Sequence, residues 1–154
     1  MVTIPAFRDA FKSRRCIIPA RGLYEWKQTG GAKQPYAIVP EGEQLFAFAG
    51  LWENWRDKAG GESEEWIRTY AIVTGELDEL EAPIHNRMPV ILPRKAWGKW
   101  LGEEPMRKDD LQLLLNPFPA ERMRAYPIST RVNSVKNDDA GSIEPMMSTG
   151  GAAV

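Results

Sequence analysis

Residues 15–27 read RCIIPARGLYEWK, and this stretch decides the fold class. Cys16-Ile17-Ile18 is a short apolar run ended by Pro19, which reads as a strand. From Gly22 to Lys27 the residues Leu23, Tyr24, Glu25 and Trp26 alternate in strand fashion, and Gly30-Gly31 marks a turn. Further strands follow at Tyr36–Val39 and Leu45–Trp52, separated by Pro40-Glu41-Gly42. Residues 53–65 read as a polar loop, Ile67–Val73 and Met88–Leu92 as strands, and the acidic Glu76–Glu81 as a helical turn. Upstream, Ala6, Phe7, Ala10 and Phe11 recur at helical spacing after Pro5, with Arg8, Lys12 and Arg14 on the polar side.

Helices are few. Pro93 starts one with Ala96, Trp97, Trp100 and Leu101 on one face, and Leu111–Leu115 belongs to a second, stopped by Asn116-Pro117. Tyr126–Ser129 and Val132-Asn133 read as late short strands. The expectation is an α+β single domain over 1–145 with a frayed tail at 146–154. Strands at 15–18, 22–27, 36–39, 45–52, 67–73 and 88–92 form one curved, mainly antiparallel sheet in this reading, with peripheral helices.

Composition narrows the function classes. The 154 residues are 43% hydrophobic and 27% charged, with six Trp, enough apolar surface to offset ordering entropy. No apolar run approaches the roughly 20 residues of a membrane helix, and the first residues lack the pattern of a secretory signal. One cysteine, Cys16, excludes an intramolecular disulfide and fits a reducing cytosol, so a cytoplasmic location is expected. One His and one Cys do not supply the common zinc sites, so no metal or other cofactor is expected. A monomer is expected.

The net charge of −1 points to no nucleic acid by itself. Its distribution is uneven: residues 1–40 carry seven Lys/Arg against two Asp/Glu, and residues 41–81 carry three against eleven. A basic N-terminal segment is either a local phosphate-binding surface or an ordinary solvated face.

Two residues could carry chemistry. His85, the only histidine, sits between two prolines in PIHNRMP (83–89). It is either a structural loop residue or a proton carrier near neutral pH, with Arg87 two residues on to hold a phosphate. Glu25 lies in an otherwise aromatic and apolar strand. Pointing outward it is a solvated carboxylate; pointing inward it is desolvated, with a raised pKa suited to acid/base work. Both alternatives stand at this point.

GLYEWK (22–27), KQPYAI, AGLWE, YAIVT, APIHNRMPVIL and YPIS-TRVNSVKND occur in this order and spacing. The set resembles the SOS-response-associated peptidase (SRAP) family over residues 5 to about 145. The resemblance implies a barrel-like curved sheet that binds single-stranded DNA at abasic sites and crosslinks to them. By position it makes Glu25 and His85 the active-site pair, Thr74 a residue of the same pocket, and Arg87 a phosphate contact. Arg15 and Trp26 complete the DNA-binding candidates. The implied chemistry uses an N-terminal cysteine, whose amine and thiol close a thiazolidine ring on the sugar aldehyde.

Position 2 is Val2, and neither the family's opening Met-Cys-Gly-Arg nor its Asn-Ala-Arg segment is present. Cys16, inside an apolar strand, is expected to be buried and inert. The expectation is an open sheet edge and a chain that is crosslink-deficient as written. Whether it is an enzyme stays open. The readings are a piece of an abasic-site enzyme, a non-catalytic single-stranded DNA-binding remnant, or a globular domain without a nucleic-acid role.

Overall fold

A computed structural model describes residues 7–42, 45–56, 65–75 and 88–146. The chain opens with helix α1 (Arg8–Ser13), then strands β1 (Arg15–Ala20), β2 (Leu23–Thr29), β3 (Ala32–Pro40), β4 (Phe46–Trp55) and β5 (Ile67–Ile72). Two-residue strands β6 (Thr74–Gly75) and β7 (Met88–Pro89) follow, then helices α2 (Trp97–Leu101) and α3 (Lys108–Gln112), and last β8 (Met123–Pro127). The α+β class with antiparallel pairing and peripheral helices is as expected.

The single curved, barrel-like sheet is not what forms. The described strands make a first sheet in the order β1-β4-β5, a second in the order β2-β3-β8, and a separate β6-β7 ladder. None of these curls or closes into a barrel. The reason lies in pairing. β1 and β2 are nearly continuous in sequence, yet β1 pairs with β4 and β2 pairs with β3. The chain crosses between sheets at Arg21-Gly22, where a Cβ on Gly22 would sit 2.7 Å from the Ile38 carbonyl oxygen.

β4 holds the layers together because it is apolar on both faces. Phe46 and Phe48 point to one side and meet Ile18, Leu23, Ile38, Met88 and Met123, so this cluster lies between the two sheets. Ala47, Ala49 and Leu51 point to the other side and meet Phe11, Trp100 and Leu111 of the helices. Each large side chain so buried contributes roughly 1.5–3 kcal/mol by transfer from water. The 88–92 stretch joins the first sheet in part: Leu92 N–H donates to Ala47 O (2.8 Å) and Ala49 N–H to Val90 O (2.8 Å).

Gly30 and Gly31 form the β2–β3 turn with φ of 55° and 90°, angles that suit glycine. The segment expected as a strand at Val132-Asn133 is instead a 3-10 turn, Thr130–Asn133. Ser129 starts it by accepting from Arg131 N–H (3.3 Å), a local bond that competes with strand pairing. The helical turn expected at 76–81 lies outside the described residues, as does most of the loop expected at 53–65.

Gly50 is opposite Cys16 in the β1–β4 register. A Cβ there would collide with the Ile18 side chain and come within 2.8 Å of Cys16 Sγ. Gly50→Ala is therefore expected to destabilise by about 1–3 kcal/mol through overpacking. A lower urea midpoint with an unchanged slope checks this.

Candidate functional site

Of the expected site residues, Glu25 and Trp26 lie on opposite faces of β2 in the second sheet, Thr74 lies on the β6-β7 ladder and Arg15 on β1 of the first sheet. Glu25 is half-buried on β2, opposite Tyr36 of β3. Alternation puts it on the same face as Leu23, which packs into the inter-sheet cluster. It is thus neither a plain solvated carboxylate nor a fully buried one. Thr74 is half-buried on β6, opposite Pro89, with Gly75 opposite Met88. Met88 packs on the same cluster as Leu23, so the Thr74 ladder and the Glu25 strand contribute neighbours to one apolar cluster. Val73 fixes the ladder: its N–H donates to Ala49 O and its carbonyl accepts from Val90 N–H, both at 2.9 Å. His85 and Arg87 lie outside the described residues; His85 precedes Met88 by three positions in the sequence.

Trp26 sits on the opposite face of β2, turned from the cluster. Its indole N–H donates to Asn133 Oδ1 at 2.8 Å, tying GLYEWK to the TRVNSVKND segment. That segment is itself knotted. Arg131 pairs with Asp139 (2.7 Å), Asn137 donates to Arg131 O (2.8 Å), and Asp139 accepts from Gly141 N–H (2.9 Å). Sequence reasoning used this segment only as a motif of the resemblance; in the structure Asn133 ties it to Trp26 on the second sheet.

Arg15 is the most committed of the cations. Its guanidinium donates to the carbonyls of Phe11 (2.8 Å) and Lys12 (2.6 Å) in α1 and to that of Trp100 in α2. Burial lowers its pKa, since a desolvated guanidinium holds its proton less well. Arg14 pairs with Glu53 at 2.6 Å, and Lys12 lies 3.5 Å from Asp9. Of the seven cations in residues 1–40, Arg8, Arg21, Lys27 and Lys33 remain exposed without an ion pair among the described residues. No group of three or more His, Cys, Asp or Glu among the described residues is arranged to hold a metal ion. No described helix is long and apolar enough to cross a membrane.

Cys16 is half-buried rather than fully buried, and burial raises its thiol pKa. Only the thiolate is nucleophilic. Cys16 is expected to react more slowly with iodoacetamide at pH 8 in the folded chain than in urea, with the gap closing as pH rises through the raised pKa. Protonation favours the folded state, so this contribution to stability is full below the unfolded thiol's pKa and is lost above it. Mass-spectrometric alkylation rates check the first statement, and equal rates at pH 8 would contradict it.

A family model described as SOS response associated peptidase (SRAP) matches residues 1–135. The chain belongs to the SRAP family. Within it, the chain is 43% identical over 141 residues to the abasic site processing protein YoqW of Bacillus subtilis, covering 91% of this chain and 61% of that protein. It is 36% identical over 154 residues to the abasic site processing protein HMCES of Gallus gallus, covering 88% and 44%. A crystal structure of a Bacteroides thetaiotaomicron protein matches at 33% identity with a TM-score of 0.82, over 95% of this chain and 62% of that one. This SRAP chain therefore spans about three-fifths of the length of its bacterial relative and less than half of the chicken one.

Proposed function

We propose that this chain carries the glutamate, threonine and histidine of an abasic-site pocket and binds single-stranded DNA that contains such a site. The observation that supports this is the family match over 1–135, which includes Glu25, Thr74 and His85 in their motifs. The Glu25 strand and the Thr74 ladder contribute Leu23 and Met88 to one inter-sheet cluster, which supports this reading.

The chemistry follows from the residue types. An abasic sugar opens to an aldehyde, and an α-amine with a pKa near 7.7–8.0 is partly neutral at pH 7. The amine condenses with the aldehyde, releasing water, and a thiol on the adjacent carbon adds to the imine to close a thiazolidine. His85 moves the proton during ring opening, and Glu25 orients the amine. Arg87 holds a phosphate, and Trp26 and Arg15 border the strand's path. Only a cysteine at a chain N-terminus carries both groups, and Cys16, within β1, has no free α-amine.

The test uses abasic single-stranded DNA. Binding is expected to weaken steeply with added salt, because phosphate contacts release counterions, and to weaken again with Arg87→Ala. Cys16 is expected to form no heat-stable adduct on a denaturing gel, so Cys16→Ala leaves any adduct unchanged. Binding absent at low salt would overturn the DNA reading. An adduct that disappears in Cys16→Ala would overturn the reading of Cys16 as inert.

A further inference from the structure

We propose that the cleft between the 91–99 and 113–122 stretches is a docking site for a short acidic, aliphatic peptide segment of a partner protein. The cleft holds about 530 Å³, within the roughly 300–1,000 Å³ of ligand-binding clefts. Its wall is aliphatic and proline-rich: Ile91, Pro93, Leu114, Pro117 and Pro119 line it. Leu113, also lining it, is 64% exposed, an apolar side chain left at the mouth. Apart from Ile91, which lies in the APIHNRMPVIL motif, these residues fall outside the SRAP motifs, and the abasic-site chemistry uses none of them.

Charge identifies the occupant. Lys95, Lys99 and Arg122 line the cleft, and no Asp or Glu is among its described lining residues. Lys95 and Lys99 are four apart on consecutive helical turns, so they stand on one side. Neither has an ion-pair partner among the described residues. A wall of aliphatic side chains under a cationic rim complements leucine-type side chains flanked by carboxylates.

The same features disfavour nucleic acid. Single-strand sites typically combine a positive groove with free aromatic faces on which bases stack. The one ring among the described lining residues, Phe118, stands edge-on to Phe46 (6.1 Å, 80°), and the Arg122 guanidinium lies over it at 5.0 Å. The described lining thus offers apolar depth and positive charge without an open stacking platform.

The experiment is fluorescence anisotropy of the full chain with a fluorescein-labelled heptapeptide of alternating leucine and glutamate. Saturable binding is expected, at least about tenfold weaker in the Lys95→Glu, Lys99→Glu double variant, as expected when attraction becomes repulsion. The milder Lys95→Gln, Lys99→Gln pair is expected to shift affinity in the same direction with an unchanged thermal melt, which separates charge from folding. A serine-for-leucine peptide is expected to bind more weakly, and unlabelled oligothymidylate is expected not to compete. No saturable binding up to millimolar peptide, equal binding of the serine peptide, indifference to both lysine pairs, or displacement by oligothymidylate would each overturn the proposal.

Discussion

Trp100→Ala is expected to cost about 3–5 kcal/mol, a large share of the roughly 5–15 kcal/mol by which domains of this size are stable. Three contacts set the size of the effect. The indole is fully buried in the cluster between the first sheet and the helices. It meets Phe11 edge-on, with centroids 5.9 Å apart at 72°. Its N–H donates to Cys16 O at 2.8 Å, joining α2 to β1. Alanine would leave a cavity where the ring stood and a carbonyl without its donor. Trp100→Phe separates the two losses, since it keeps most of the apolar volume and removes the donor. That variant is expected to lose about 1–3 kcal/mol. Urea unfolding followed by far-UV circular dichroism checks both. Equal losses for the two variants would show that the hydrogen bond outweighs the packing.

Arg15→Ala is expected to destabilise by about 2–4 kcal/mol, because hydrogen bonds from a charged donor are worth about 1.5–3 kcal/mol each and are not additive. The guanidinium bridges the carbonyls of Phe11 and Lys12 at the end of α1 to that of Trp100 near the end of α2. Helix C-termini hold unpaired carbonyls and a partial negative charge, so one cation serves both ends. Lysine carries the charge without the planar fork, and Arg15→Lys is expected to recover only part of the loss. The consequence for function is specific. A fall in DNA affinity in Arg15→Ala that tracks the loss of folded protein would come from the scaffold. A fall at temperatures where the variant is fully folded would come from a direct phosphate contact. Measuring affinity alongside the melt distinguishes them.

The local devices of this fold are legible in its sequence. The β2–β3 hairpin follows from alternation on either side of Gly30-Gly31, and β4 from an apolar run too short for a helix. The division into two sheets is not legible. It depends on β1 choosing β4 and β2 choosing β3, pairings across 30 or so residues or a tight turn, and alternation says which residues share a face but not which strand lies beside them. The 130–133 turn was hidden for a different reason, a serine side chain competing with the ladder. At the site, Leu23 reveals which way Glu25 points, since residues two apart share a face. The destination of Arg15 was invisible, because its acceptors are backbone carbonyls that any sequence would carry.

β5 pairs on one side only among the described residues, and all six of its side chains are exposed, with Tyr70 at 66% and Ile67 at 50%. Arg68 is its one charge, and that guanidinium lies over the Trp52 ring at 4.8 Å. Unpaired N–H and C=O groups along such a strand are a template for another chain. This sets two processes in competition during refolding. Closing the domain is first order and indifferent to protein concentration; joining two chains at their β5 edges is second order and accelerates with it. The recovered yield of monomer is therefore a kinetic property of this strand as much as a measure of stability. Dilution, or a lysine at Tyr70, changes it without altering a single contact in the core.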